Sequence, residues 1–159
     1  MNYNLIRFAD VLLWAAECEV EVGVLEKARE YVNMIRARAS GCTVAIDYSN
    51  NCYNGEPSAN YFADTYQTAW SDQVLARKAV RFERRLELAL EGHRFFDLVR
   101  WGIAAEYINE YLETEKTRIS HLIGAEFVAG KHEYFPIPQQ EIDLSVVDGK
   151  PLLKQNPGY

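Results

Sequence analysis

Glutamates recur one helical turn apart at Glu17/Glu21, Glu83/Glu87 and Glu87/Glu91. Two carboxylates facing each other across a cleft are the equipment of general acid-base catalysis on a glycosidic bond, provided they lie roughly 5 to 10 Å apart with pKa values driven apart. Spacing along one helix supplies neither condition. Arg84 stands three residues before Glu87, Arg94 three after Glu91, and Arg81 and Arg85 share the run, so the same residues describe an ion-paired helical scaffold. Were the chain a hydrolase, Glu87 and Glu91 would be the first residues to test. His93, His121 and His132 are scattered, none at helical i,i+4 spacing from another, and Cys18, Cys42 and Cys52 form no Cys-x-x-Cys pair. No metal site and no cofactor are therefore expected. Nucleophile-elbow, phosphate-loop, dinucleotide and zinc-protease signatures are all absent from the sequence.

The elements that must position these side chains are helical. Leu5, Ala9, Leu12, Leu13, Ala16 and Val20 alternate by three and four, which lays one apolar stripe along a helix ending at Gly23. Leu25, Ala28, Val32, Ile35 and Ala39 repeat the pattern up to Ser40-Gly41. Two helices joined at a glycine predict an antiparallel hairpin over 3–40. Ser71-Asp72 offers an N-cap for a third helix carrying Leu75, Ala79, Phe82, Leu86 and Leu90 to Gly92. Leu98, Trp101, Ala105, Ile108 and Leu112 form a fourth pattern, interrupted by Gly102, and the two make a second hairpin over 71–113.

Between the hairpins, 41–70 loses its periodicity and gathers Asn, Asp, Ser and Gly around aromatic residues, so it reads as a long loop of the kind that often carries function. Residues 114–159 read as an irregular covering tail. Glu133-Tyr-Phe-Pro-Ile-Pro138 must run extended at its Pro-x-Pro, with a short helical turn at Gln139-Gln-Glu-Ile-Asp143. The fold class expected is all-α, with long irregular loops, in one domain or fragment spanning 1–159.

Composition narrows the partners. Seventeen Lys+Arg against 23 Asp+Glu give a net charge of −6, and no basic run exceeds two residues, which argues against nucleic acid. The longest apolar stretches fall far short of the ~20 residues of a membrane span. The first residues carry no basic leader, so the chain is expected either to be cytoplasmic or to lack its front end.

Glu83-Arg-Arg-Leu-Glu-Leu-Ala-Leu-Glu-Gly-His-Arg-Phe-Phe-Asp-Leu-Val-Arg-Trp-Gly102 resembles the signature of the SusD/RagB outer-membrane nutrient-binding proteins. Leu5-Ile-Arg-Phe-Ala-Asp-Val-Leu-Leu-Trp-Ala-Ala-Glu17 with Asn33-Met-Ile-Arg-Ala-Arg38 resembles the helix pair that precedes it. Tyr134-Phe-Pro-Ile-Pro-Gln-Gln-Glu-Ile-Asp143 with Gln155-Asn-Pro-Gly-Tyr159 resembles the family's C-terminal end. These segments stand in the family's order and cover about half of the chain; 41–70 and 106–131 match nothing.

The resemblance implies tetratricopeptide-like helical hairpins and binding without catalysis: a surface lipoprotein that captures oligosaccharide or another nutrient and delivers it to a SusC-like TonB-dependent transporter. The chain would be a fragment or an abbreviated homologue, with the lipid-bearing cysteine elsewhere, so Cys18 inside a helix does not take that role. Sugar capture needs aromatic faces and planar polar groups. In the 41–70 loop Tyr48, Tyr53, Tyr61, Tyr66 and Trp70 are candidate platforms, and Asn50, Asn51, Asn54 and Asp64 candidate hydrogen-bond partners. The same aromatic residues could instead anchor the loop to the helices. At a cell surface, Cys42 and Cys52 could close a disulfide or remain free thiols. Arg85, Glu91, Arg94, Asp97 and Arg100 read as a structural network, with Asp97 bridging Arg94 and Arg100 at i,i+3 steps. A helical scaffold that binds a peptide in its groove is the alternative to the nutrient-binding reading.

Overall fold

The structure, a computed structural model, describes residues 5–41, 44–47, 52–57 and 62–159; for Gly41 and for 44–47 and 52–57 it describes backbone alone. The chain divides into two compact units, Met1–Gly92 and His93–Tyr159.

In the first unit, α1 (Phe8–Val22), α2 (Leu25–Gly41) and α3 (Gln73–Glu87) pack against one another. Leu13, Ala16 and Val20 of α1 meet Ala28, Val32 and Ile35 of α2 and Ala76 and Val80 of α3, all buried. Burying each of the larger side chains contributes about 1.5–3 kcal/mol. The α1–α2 stripes are those of the sequence pattern, except that Leu5 precedes α1 and is exposed and that Asp10, outside the expected stripe, is fully buried. The turn between them is tight because the Glu19 carboxylate accepts the Val24 N–H at 2.8 Å. A Cβ on Gly23 would sit 2.0 Å from that carboxylate.

α3 corrects the sequence expectation. Its buried face is Ala76, Val80, Glu83 and Arg84, whereas Leu75, Phe82 and Leu86 of the expected stripe are exposed. Apolar content marks the wrong side because the inner side carries charges that find partners on α1 and α2. The helix also stops at Glu87, short of Gly92. Arg7 Nη2 donates to the Glu87 carbonyl at 2.5 Å, satisfying one of the orphan acceptors of the last turn. Leu88 then plugs the core, and Leu90 turns the chain in the left-handed region at φ +65°.

The 41–70 segment is not wholly irregular. β1 (Val44–Asp47) and β2 (Cys52–Pro57) pair antiparallel, with Val44 opposite Pro57 and Cys52 opposite Asp47.

In the second unit, the single pattern expected from Leu98 to Leu112 is broken into α4 (His93–Arg100) and α5 (Ala104–Glu115), with Gly102 between them at φ +69°. The helical stretch expected over 71–113 is thus three helices, α3 in the first unit and α4 and α5 in the second. Leu98, Ala104 and Phe127 form the second core, flanked by Phe95, Trp101, Tyr107 and Ile108. The tail adds a 3-10 turn (Ser120–Leu122), α6 (Gln139–Leu144) where the sequence predicts a helical turn, and a small antiparallel pair, β3 (Val146–Val147) with β4 (Lys150–Pro151). The described fold is helical, with only these short sheet pieces.

Candidate functional site

Residues 62–72 lead from the strand pair to α3, and α2 fixes their course. The Asn33 side chain reads the Tyr66 backbone twice: its Oδ1 accepts the Tyr66 N–H at 2.7 Å and its Nδ2 donates to the Tyr66 carbonyl at 3.0 Å. Arg29 donates to the same carbonyl and to Glu26, whose other oxygen accepts the Trp70 N–H at 3.3 Å. Arg36 makes three connections at once. It donates to the Asp64 carbonyl, pairs with Glu83 at 2.8 Å and lies over the Tyr66 ring with 5.0 Å to its centre. Tyr66 and Trp70 meet edge to face, centroids 5.3 Å apart.

This pinned segment and α3 enclose a cleft of about 520 Å³. Trp70 and Tyr66 supply aromatic surface, Leu75, Ala76 and Ala79 an apolar floor, and Thr65, Gln67, Thr68 and Ser71 hydroxyl and amide groups. Asp72 caps α3, its Oδ1 accepting the N–H groups of Val74 and Leu75 at 2.7 and 3.0 Å. Exposed Leu75, from the apolar stripe of α3 that the core leaves out, thus helps to floor a polar-walled cleft. Amphipathic walls of this kind suit a ligand with apolar faces and hydroxyl edges.

Of the sequence-derived ligand residues, Tyr66 and Trp70 line this cleft. Both are also held to α2, Tyr66 by Asn33 and Arg36 and Trp70 by Glu26, which is the anchor role that the sequence leaves open beside the platform one. Asp64 is exposed on the same segment, with its carbonyl taken by Arg36. Tyr53 and Asn54 lie on β2, and Tyr48, Asn50, Asn51 and Tyr61 lie outside the described residues. So does Cys42, while Cys52 is described by its backbone alone. The described free cysteine is Cys18, exposed on α1.

The charged run is a scaffold, but its partners come from afar. Glu83 pairs with Arg36, Glu87 accepts Arg38 at 2.7 Å and Arg7 at 2.5 Å, and Glu91 accepts Arg7 at 2.7 to 3.1 Å. Arg84 reaches Asp10 on α1 at 2.8 Å, both side chains almost fully buried. Glu87 and Glu91 are thus engaged by guanidinium groups, an arrangement suited to holding helices and ill suited to a proton-donating acid. In the second unit Asp97 pairs with Arg100 at 2.9 Å. Where the sequence predicts a bridge from Asp97 to Arg94, the Arg94 guanidinium lies over Tyr107, 4.6 Å from the ring centre, and over Trp101. Arg85 is exposed on α3.

Burial raises the Glu83 carboxyl above its ordinary pKa, and Arg36 opposes that rise. Burial likewise raises the Tyr66 phenol. On the exposed side, the hydrogen bond from Arg77 lowers Glu21.

Asn33 and Arg36 are not identifiable from sequence as site-forming residues. The one available signal is their place in the Asn33–Arg38 motif, which on sequence alone speaks only for helix pairing. The tail uses the same device. Gln155 accepts the Ile137 N–H and donates to its carbonyl, both at 2.8 Å, so the two C-terminal motifs clamp each other. Asn109 does the same to Phe127, at 2.8 and 3.0 Å.

Comparison with known proteins agrees with this architecture. The model of the SusD family matches residues 1–159. SusD-like protein P25 of Formosa agariphila is 34% identical over 154 residues, covering 92% of this chain and 23% of that protein. SusD-like protein P2 of the same organism is 29% identical, covering 99% of this chain and 26% of its own length. The crystal structure of a SusD homolog from Bacteroides thetaiotaomicron superposes with a TM-score of 0.69 at 32% identity, over 97% of this chain and 26% of that one. The chain spans about a quarter of the length of these relatives. With the family model matched from end to end, the chain belongs to the SusD family.

Proposed function

We propose that the protein binds a nutrient, an oligosaccharide, at the cell surface without cleaving it and passes it to a SusC-like TonB-dependent transporter. The family match along the whole chain carries this reading. Anchorage in the outer membrane would come from a lipid on the full-length protein. Within the chain, the cleft beside Trp70 is the proposed ligand contact: its aromatic and apolar surfaces can cover the flat face of a sugar ring while Thr65, Gln67, Thr68 and Ser71 meet the hydroxyls. Tyr53, Asn54 and Asp64, with Tyr48, Asn50, Asn51 and Tyr61, are proposed as further contacts along the same stretch.

A glycan array and calorimetric screen on the longest form that expresses folded, with chromatography of every ligand that binds, tests the proposal. Saturable binding with the saccharide recovered intact is the expected result. Shortened products would replace binding by hydrolysis, and binding of an extended peptide without sugar would favour a helical peptide-binding scaffold.

A further inference from the structure

We infer that the cleft beside Trp70 selects uncharged saccharides over sulfated or uronic-acid ones; this rests on reading that cleft as the ligand contact. Among its described lining residues none is Lys, Arg or His, and the charged member is Asp72. The strongest stabilisers of a bound anion are guanidinium or ammonium groups and free backbone N–H groups at a helix N-terminus. α3 does begin at this cleft, but the Asp72 carboxylate already occupies its N-terminus, accepting Val74 and Leu75 N–H groups at 2.7 and 3.0 Å. A sulfate or carboxylate arriving there meets a fixed negative charge in place of open donors.

The nearby arginines are committed elsewhere. Arg29 is held by Glu26 and the Tyr66 carbonyl, and Arg36 by Glu83 and the Asp64 carbonyl, so both fix the outer segment from the α2 side. The polar residues of the cleft wall are otherwise neutral, Thr68 and Ser71 together with Thr65 and Gln67, whose amide donates to the Thr65 hydroxyl at 2.6 Å, and such groups match sugar hydroxyls.

The test uses the longest form that expresses folded, titrated with neutral gluco-, xylo- and manno-hexasaccharides and with the same hexasaccharides chemically sulfated. Amide shifts of residues 65–72 report where each binds. Asp72→Asn is compared in parallel, because asparagine also caps helices and so removes the charge while keeping the cap; its melting temperature confirms the fold. The expected result is tighter binding of neutral ligands, with the neutral-to-sulfated ratio falling roughly three- to tenfold in Asp72→Asn, as loss of one nearby unit charge in a hydrated site would give. Sulfated ligands binding at residues 65–72 as tightly as neutral ones would overturn the inference while leaving the cleft as a sugar site. An unchanged ratio in Asp72→Asn would overturn it equally. Neutral and sulfated ligands both failing to shift residues 65–72 would remove the cleft reading itself.

Discussion

Both units use a side-chain amide to read a distant backbone, Asn33 on Tyr66 in the first, and they differ in whether long-range ion pairs are added to it. In the first, charged groups join distant parts of the sequence: Arg84 to Asp10, Arg36 to Glu83, Arg38 to Glu87, Arg7 to Glu91 and Arg77 to Glu21 tie α1, α2 and α3 and their flanks. In the second, neutral amides read a distant backbone, Asn109 on Phe127 and Gln155 on Ile137, while the Asp97/Arg100 and Glu113/Lys116 pairs are local i,i+3 steps. The difference follows from what each side chain must meet. Helices present side chains to one another, and guanidinium forks match carboxylates across that gap. An extended tail with Pro-x-Pro presents unpaired backbone groups, which a planar amide matches one for one.

The largest effect that would break this comparison is at Arg84. Arg84→Met removes the 2.8 Å guanidinium partner of the fully buried Asp10 carboxylate and should destabilise the first unit by about 3–5 kcal/mol, measured by urea unfolding. Adding Asp10→Leu should recover most of the loss, since a buried ion pair can be replaced by apolar packing. If the single and double variants were equally unstable, the charge account of the first unit would fail. Next in size, Gln155→Ala should cost about 1–3 kcal/mol by leaving Ile137 backbone groups unpaired. Hydrogen exchange should locate that loss around 135–138, with little dependence on salt. A salt-sensitive effect there would contradict the neutral-amide account.

Leu90 gives a gain. It is fully exposed and sits at φ +65°, so Leu90→Gly should stabilise the chain by about 1 kcal/mol in thermal unfolding. The smallest effect concerns pH. Glu83 is raised when folded, so its contribution favours the fold at low pH and is lost as pH rises through that raised value. Glu21 is lowered, so its contribution is present above the ordinary glutamate pKa and lost as pH falls through the lowered value. Carboxyl NMR titration should therefore find Glu83 titrating late and Glu21 early as pH rises, and the reverse order would discard the assigned causes.

Much of the helical frame is legible in the sequence, because α1 and α2 bury apolar stripes at regular spacing, with the buried Asp10 of α1 the exception that periodicity misses. α3 is legible at its start, where Asp72 caps it as expected, but not in orientation. Its inner face holds Glu83 and Arg84, and periodicity counts such residues as surface. Tyr66 and Trp70 are identifiable by type as site candidates. Their supports, Asn33 and Arg36, act through a backbone and a carboxylate 28 to 47 positions away, a relation that no local pattern carries. The strand pair in 41–70 is hidden for the same kind of reason: its segments are short and the pairing lies between them, outside any local pattern.

The most direct test of the account compares the wild type with Trp70→Ala and Leu75→Ala in calorimetric titration with the tightest saccharide from the screen. Leu75 is exposed on the cleft floor and half-buried Trp70 forms its wall, so both variants should weaken binding by roughly tenfold or more while the ligand is recovered intact. Undiminished affinity in both folded variants would contradict the account and place the nutrient contact elsewhere in the protein.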